Sequence, residues 1–376
     1  RSQGTATGTA LFHPIALHNT GKSTNLTATN VFTAVAPTVT NTAFIAANGT
    51  KTTGRTTAPD NLGSQGATYS FMDMTVYENG LLYNGLYYVA PTLSTDNSGA
   101  YLINNEDDWT NFCDALYDNG TWNRFSGQTV KLANDISVNR MAGYDNHDFL
   151  GTFDGNHKRL TFTATATANY LAPFRNVLGN SDTDRAVIRD LNVVTNITAT
   201  DYRHTAGLIA LVWGYVDVTN CNVTVDITAT KGSTNTDLYP AGIASQVVKD
   251  AQIAVSGCTV DGTISTDGKY AGGIIGIAQG SATITDCLSS VTIDSSTEGD
   301  GTHGGLVGVQ GTYDGSTITI KGCVFNGQLL GASTHSCGGF VGWRSKTVNI
   351  SNSFFVPVQV TINTTDGSTP CATFVR

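Results

Sequence analysis

The chain has 376 residues, of which 13% are charged, with 20 basic against 29 acidic side chains for a net charge of −9. Neutral Thr, Ser, Asn and Gly do the work of solvation, and with no basic stripe the balance excludes binding to nucleic acid or to an anionic membrane surface. No apolar run approaches the ~18 residues of a membrane span, and no signal peptide is visible, as a mature or trimmed product would also read.

Residues 1–98 show no repeat. They are rich in Thr, Ala and Asn, with β-like runs at Ala10–Leu17, Val31–Val35 and Ala43–Ala47 and an alternating stretch from Tyr69 to Tyr77. Asn84-Gly85 between Leu81-Leu82-Tyr83 and Leu86-Tyr87-Tyr88-Val89 is a hairpin signal. These residues are expected to form an N-terminal β-rich domain, either a small sandwich or a set of irregular rungs. Its boundary is expected in the Ser- and Asn-rich stretch Pro91–Gly99.

Residues 99–150 are expected to hold a helical cap and the first strands. Asn105 can cap a helix whose first turn carries Glu106, Asp107 and Asp108 and whose one face carries Trp109, Phe112, Cys113 and Leu116. Thr129–Leu132 and Ile136–Val138 then read as a strand pair. An amphipathic helix ahead of the repeats would cover the apolar interior and unpaired edges of a solenoid end.

From residue 151 to 376 the chain repeats. Val255-Ser-Gly-Cys258-Thr-Val260 returns as Ile284-Thr-Asp-Cys287 and as Ile320-Lys-Gly-Cys323-Val-Phe325. Earlier copies are Val218-Thr-Asn-Cys221-Asn-Val223 and Ile188-Arg-Asp-Leu191-Asn-Val193, and a last one is Ile350-Ser-Asn-Ser353-Phe-Phe355. Leu160, Phe162 and Ala166 read as a first copy, so that positions 160, 191, 221, 258, 287, 323 and 353 are 31, 30, 37, 29, 36 and 30 residues apart. A second motif keeps step: Ala206-Gly207-Leu208, Ala241-Gly242-Ile243, Gly272-Gly273-Ile274, Gly304-Gly305-Leu306 and Gly338-Gly339-Phe340. Two phased motifs with β-type alternation in about 30 residues describe three short strands and three turns. The fold class is therefore all-β: a parallel β-helix of about seven to eight rungs, right-handed by the usual chirality of parallel connections.

A repeat position that accepts Leu191, Cys221, Cys258, Cys287 and Cys323 alike is an interior slot, where a free thiol packs as a small hydrophobe. Cys337 and Cys371, 34 residues apart and outside that frame, could be bonded or free, and Cys113 stands alone.

Gly151-Thr-Phe153-Asp154-Gly155-Asn156, followed by recurring Gly-Gly-Leu-Val-Gly units each leading to Ile-x-Asn/Asp-Cys-x-Val, resembles the GLUG-motif β-helix proteins. The resemblance spans about residues 100–360. It implies a cell-surface or secreted setting in gut bacteria, often adhesive and sometimes beside immunoglobulin A peptidases, and it names no ligand. The chain departs from the pattern at His157-Lys158-Arg159-Leu160, where the family has Gly-His-Thr-Ile, and at Ala210 and Ser245, which replace a motif glycine.

For chemistry, Asp190 and Asp286 share a position with Asn220, Gly257, Gly322 and Asn352, a set of residue types that marks a turn. The loop from Asp294 to His303 could hold Ca²⁺ through oxygen ligands but lacks the spacing of a calcium loop; a solvated turn is expected, and no cofactor. No His-Glu-x-x-His occurs. Three residues before each motif glycine stand His204, Tyr239, Tyr270, Thr302 and Ser336, with His303 and His335 close by. Rings at about 4.8 Å spacing make either a strip onto which sugar faces stack, or a ladder that only stabilises the turn. Trp213 and Trp343 fall at different offsets and form no stripe. The reading is a non-catalytic, adhesin-like extracellular module that binds glycans or host surface proteins, with other domains of a larger surface protein as further partners. The ligand-binding candidates are His204, Tyr239, Tyr270, His303 and His335. The alternatives are a β-helical polysaccharide lyase or glycoside hydrolase, and a structural stalk or fibre subunit.

Overall fold

A computed structural model describes residues 93–117, 123–144, 147–165, 169–232, 237–363 and 371–376, with the backbone of four short strands nearer the N-terminus. The chain divides into two compact units, Arg1–Thr92 and Leu93–Arg376. In the first, Phe44–Ile45 pairs antiparallel with Lys51–Thr52, and Gly80–Tyr83 with Leu86–Val89. Tyr83 lies opposite Leu86, as the intervening Asn84-Gly85 predicts. The choice between a sandwich and irregular rungs falls outside the described residues.

The second unit is a parallel β-solenoid of about eight turns. Each turn crosses three faces. Face A stacks Tyr101–Ile103, Thr129–Leu132, Thr152–Asp154, Ala186–Arg189 and their successors down to Thr347–Ser351. Face B runs through Arg159–Thr165, Asn192–Thr200, Asn222–Thr230 and Thr259–Thr266, and face C through Phe174–Gly179, Ala244–Val247, Ile275–Ala278, Val307–Gln310 and Val341–Trp343. The strand Ile209–Thr219 continues from face C into face A, pairing with Phe174–Gly179 in its first half and with Ala186–Arg189 in its second.

Alternation decides which side chains enter the core. On Asn192–Thr200 and Asn222–Thr230, Val193, Ile197, Val223 and Ile227 are buried and alternate with outward residues such as Asn196, Thr198, Thr224 and Asp226; the inward Thr195 is buried too, its hydroxyl donating to Gly207 O at 2.7 Å. Between faces A and B sits one left-handed residue per turn: Asp190, Asn220, Gly257, Asp286, Gly322 and Asn352, with φ from 49° to 66°. Asn, Asp and Gly are the residues that adopt this conformation at least cost. That accounts for Asp190 and Asp286 without catalysis. The next residue points inward, and Leu191, Cys221, Cys258, Cys287 and Cys323 are at most 2% exposed. Each of these thiols is free and donates to a carbonyl two residues back, as Cys287 Sγ does to Thr285 O at 3.1 Å.

The first copy is out of register with the sequence reading. Leu160 pairs with Val193, not Leu191, and Ala164 rather than Ala166 aligns with Ile197; Ala166 lies outside the described residues. The cause is the turn. Residues 155–158 separate the paired positions 154 and 159, whereas only 190 and 191 separate 189 and 192. Asn156 and His157 are both left-handed, with φ of 50° and 58°, which lengthens the turn without disturbing the strands.

Helix α1 (Glu106–Tyr117) closes the N-terminal end. Asn105 Oδ1 accepts the Asp108 amide at 2.9 Å, and Asp108 Oδ2 in turn accepts the Asn104 amide at 2.9 Å, so the first turn is capped from both sides. Trp109, Phe112, Cys113 and Leu116 are fully buried. Their rings join Phe125, Phe149, Phe153 and Phe174 in one aromatic plug.

Candidate functional site

Where face B gives way to face C, Ala206, Ala241, Gly272, Gly304 and Gly338 form a column of single bridges, one per turn. Two residues before each stand His204, Tyr239, Tyr270, Thr302 and Ser336, so the repeat brings the first three into line. His204 and Tyr239 are 5.2 Å apart between ring centroids, Tyr239 and Tyr270 5.4 Å, with interplanar angles of 21° and 12°. The stack is one ring longer than the motif suggests. Tyr170 lies 4.8 Å from His204 at 16°, and the Arg175 guanidinium sits 5.4 Å from the Tyr170 ring and 4.2 Å from that of Tyr144. Tyr170 escaped the motif because Pro173 stands where the later turns have glycine; its 34-residue distance from His204 was the available signal. Tyr170 and Tyr270 both hold φ at 70°, a conformation bulky residues rarely keep without support from their surroundings.

The stacking geometry changes what the strip can offer. Near-parallel rings one turn apart cover each other's faces, so the interior members of the stack present edges to solvent and not the flat surfaces a sugar would lie upon. Tyr239, an interior member, and Tyr270, the end of the stack, are both half-buried. His204 is 6% exposed, and its Nδ1 donates to Ser245 Oγ at 3.3 Å, since that hydroxyl spends its own proton on Tyr239 O at 2.7 Å. Burial, with Arg203 nearby, pushes His204 down to about 3.

His303, by contrast, points into the core and is 1% exposed. Its Nδ1 accepts the Ala271 amide at 3.1 Å, so Nε2 carries the proton and donates to Ser295 Oγ at 2.8 Å. A histidine in that tautomer cannot take a proton from the serine, and this Ser–His pair is therefore structural despite its distance. His335 is half-buried, with Nδ1 at 2.8 Å from Ser336 Oγ. The two imidazoles occupy different positions of their turns: His303 follows the column residue Thr302 by one, whereas His335 precedes Ser336 by one.

Burial also pushes His303 down to about 4. Its ordinary value is 6.5, so on acidification the unfolded chain takes up the proton first. Stability should fall by up to roughly 1.4 kcal/mol per pH unit for this histidine, from about pH 6.5 down to about 4. Thermal unfolding at pH 7.5 and 4.5 checks this. His303→Gln should lose less on acidification than the parent, and an unchanged loss would remove His303 from the account.

The outer surface of face B is a register of hydroxyls. Thr165, Thr198, Thr228 and Ser265 align on four adjacent turns, followed by Asp294. Beside them Thr200 and Thr230 are hydrogen-bonded at 2.9 Å, and Asn192, Asn222 and Thr259 form a ladder at 2.9 and 2.7 Å. Asp226 and Asp261 project from the same face one turn and two residues apart. In the loop from Asp294 to His303, Asp300 accepts from Thr302 and pairs with Arg376 at 3.6 Å. Among the described residues no group of three or more His, Cys, Asp or Glu side chains converges as a metal site would. Trp213 and Trp343 are 42% and 41% exposed in different columns, Trp343 beneath the Arg376 guanidinium at 4.6 Å.

No protein-family model matches the chain, and a search of curated proteins found no match. Among solved structures, the chain is similar to that of a "putative immunoglobulin A1 protease" from Bacteroides ovatus, with 18% identity and a TM-score of 0.47 over 75% of this chain and 85% of that one.

Proposed function

We propose that the solenoid is a non-catalytic display module of a bacterial surface protein, adhesin-like, that binds glycans through shallow contacts along face B and the adjoining ring edges. The observation that carries this reading is the in-register column Thr165, Thr198, Thr228 and Ser265. Rigid hydroxyls repeated at about 4.8 Å offer donors and acceptors along a line, at little ordering cost to the protein. The resemblance to GLUG-motif proteins supports the surface setting. Each contact is worth on the order of 1 kcal/mol, so a single module binds weakly and firm attachment needs many copies.

The test is a glycan-array screen followed by titration of the best ligand. Tyr239→Phe with Tyr270→Phe keeps the stack and removes two hydroxyls; affinity should fall on the order of tenfold. Thr198→Val with Thr228→Val should do the same through face B. If binding exists and both double variants keep all of it while remaining folded, the site lies elsewhere.

A second reading rests on Asp226 and Asp261. One strand spacing and two residues along put their backbones roughly 8 Å apart, within the span of the carboxylates of inverting glycosidases. Both are exposed, whereas a general acid at neutral pH is held in a desolvated site. Turnover of a polysaccharide that Asp226→Asn abolishes would establish the enzyme and displace the binding module.

A further inference from the structure

Of the seven cysteines, Cys113 is fully buried on α1 and the other six divide into two kinds. Cys221, Cys258, Cys287 and Cys323 are sealed in the core, and no more than 2% of any of them is exposed. Their protons are engaged by carbonyls of their own turn and of the turn before, as Cys258 Sγ is with Ser256 O at 3.4 Å and Val218 O at 3.6 Å. The stacked neighbouring thiol and burial hold Cys258 and Cys287 up at about 12. These four cannot start thiol–disulfide exchange, which needs an accessible thiolate.

Cys337 and Cys371 are the other kind. Gly338 and Ala372 are bridged in parallel, the Ala372 amide donates to Cys337 O at 2.9 Å, and the Cys337 amide donates to Cys371 Sγ at 3.2 Å. The two residues thus stand side by side on adjacent turns, where paired backbones are about 4.8 Å apart. That lies inside the roughly 4.4–6.8 Å range of Cα separations that a disulfide spans. Cys337 is buried but Cys371 is part-exposed, so one partner can be reached from solvent. The Cys337 thiol and amide beside Cys371 bring it down to about 6, while Cys337 itself is held well above the usual thiol range. An accessible nucleophile beside a buried resolving thiol is the arrangement that exchange requires.

We propose that Cys337 and Cys371 form a reversible disulfide that staples the last six residues to the solenoid. Residues 371–376 pair with face C through Gly338–Ala372 and Val341–Val375, and Phe340 and Val341 both donate to Phe374 O. They therefore cover the edge of that sheet, and the bond fixes the cover in place. The oxidant is a low-molecular-weight disulfide such as oxidised glutathione. The Cys371 thiolate attacks one of its sulfurs and expels one glutathione thiolate, which takes a proton from water. Cys337 then releases its proton to solvent, attacks Sγ of Cys371 and expels the second glutathione. Two protein thiols are oxidised and one glutathione disulfide becomes two thiols.

The proposal does not depend on any ligand of the module. The native full chain is incubated with oxidised glutathione, then denatured and alkylated without reductant. Two of its seven thiols should escape alkylation, and peptide mapping should find one crosslink, 337 to 371. Thermal unfolding of the oxidised protein should begin at higher temperature than that of the reduced protein, and dithiothreitol should reverse the shift. Cys371→Ser should give no crosslink and leave Cys337 unmodified while native. A stable glutathione adduct on Cys371, seven alkylated cysteines, or a bond between core thiols would each overturn the proposal.

Discussion

Replacing Trp109 by Ala is expected to cost about 3–5 kcal/mol, the usual range for a buried Trp or Phe truncated in a tight core, and Trp109→Asp should cost more and abolish the soluble monomer. The indole is fully buried and packs edge-on against Phe153 at 6.0 Å and Phe174 at 5.7 Å, residues of the first complete turns. Its Nε1 donates to Arg140 O at 2.8 Å, while the Arg140 guanidinium reaches back to Asp114 on α1 at 2.6 Å. Ala leaves a cavity at the mouth of the solenoid; Asp adds a carboxylate among buried aromatic rings, with the neighbouring Arg140 already paired to Asp114. Because a solenoid is stabilised turn by turn, the damage should appear as local opening of the first turns and exposure of unpaired strand edges, the route to aggregation. Hydrogen exchange over residues 101–154 and light scattering measure both. Trp109→Phe should retain the plug and lose only the indole hydrogen bond, at about 1 kcal/mol. A Trp109→Asp protein that stays monomeric and exchanges like the parent would show that α1 is an ornament and not a cap.

The parallel solenoid was legible because its signal is repeated. One misplaced strand matters little when Cys221, Cys258, Cys287 and Cys323 recur with the same neighbours, and the left-handed turn is spelled by Asp, Asn or Gly each time. Register failed where the repeat changes its turn. The lengthened turn at Asn156-His157 shifts Leu160 by two residues, and a two-residue shift preserves alternation, so no pattern of polar and apolar residues could reveal it. The ring column was legible for the same reason as the core, and Tyr170 was missed where Pro173 removes the anchoring glycine. Ring orientation was not legible at all. Spacing along the chain says that His204, Tyr239 and Tyr270 are neighbours; only side-chain rotamers say that they meet face to face, and that decides whether a sugar finds a platform or a row of edges. The burial of His303 was not legible either, because residues 301–304 are all buried and offer no alternation to read.

Gly272→Ala is expected to be severely damaging, at about 3 kcal/mol or more, the upper end of what overpacking costs. A Cβ built there would lie 1.8 Å from Ile275 O and 2.7 Å from Gly308 N, both backbone atoms that no rotamer change can move. The column itself does not forbid a methyl, since Ala206 and Ala241 occupy the same position two turns and one turn earlier and are fully buried. The difference lies four residues on. Ala206 and Ala241 are followed by Ala210 and Ser245, whereas Gly272, Gly304 and Gly338 are followed by Gly276, Gly308 and Gly342. In the second type the chain turns more tightly: a Cβ on Gly276 would meet Tyr239 O at 2.4 Å, and one on Gly308 would meet Tyr270 O at 2.1 Å. The first and last glycines of Gly-Gly-x-x-Gly thus act together to let three turns close against one another beneath the ring column. Ala241→Gly serves as the control and should cost only about 0.5–1 kcal/mol, the entropy of a more flexible chain. Chemical denaturation compares the two, and hydrogen exchange at residues 270–308 locates the loss. Equal, small effects would mean that the backbone at Gly272 relaxes freely; a large loss in Gly272→Ala that spreads to Tyr239 and Tyr270 would tie the glycine motif directly to the integrity of the stacked rings.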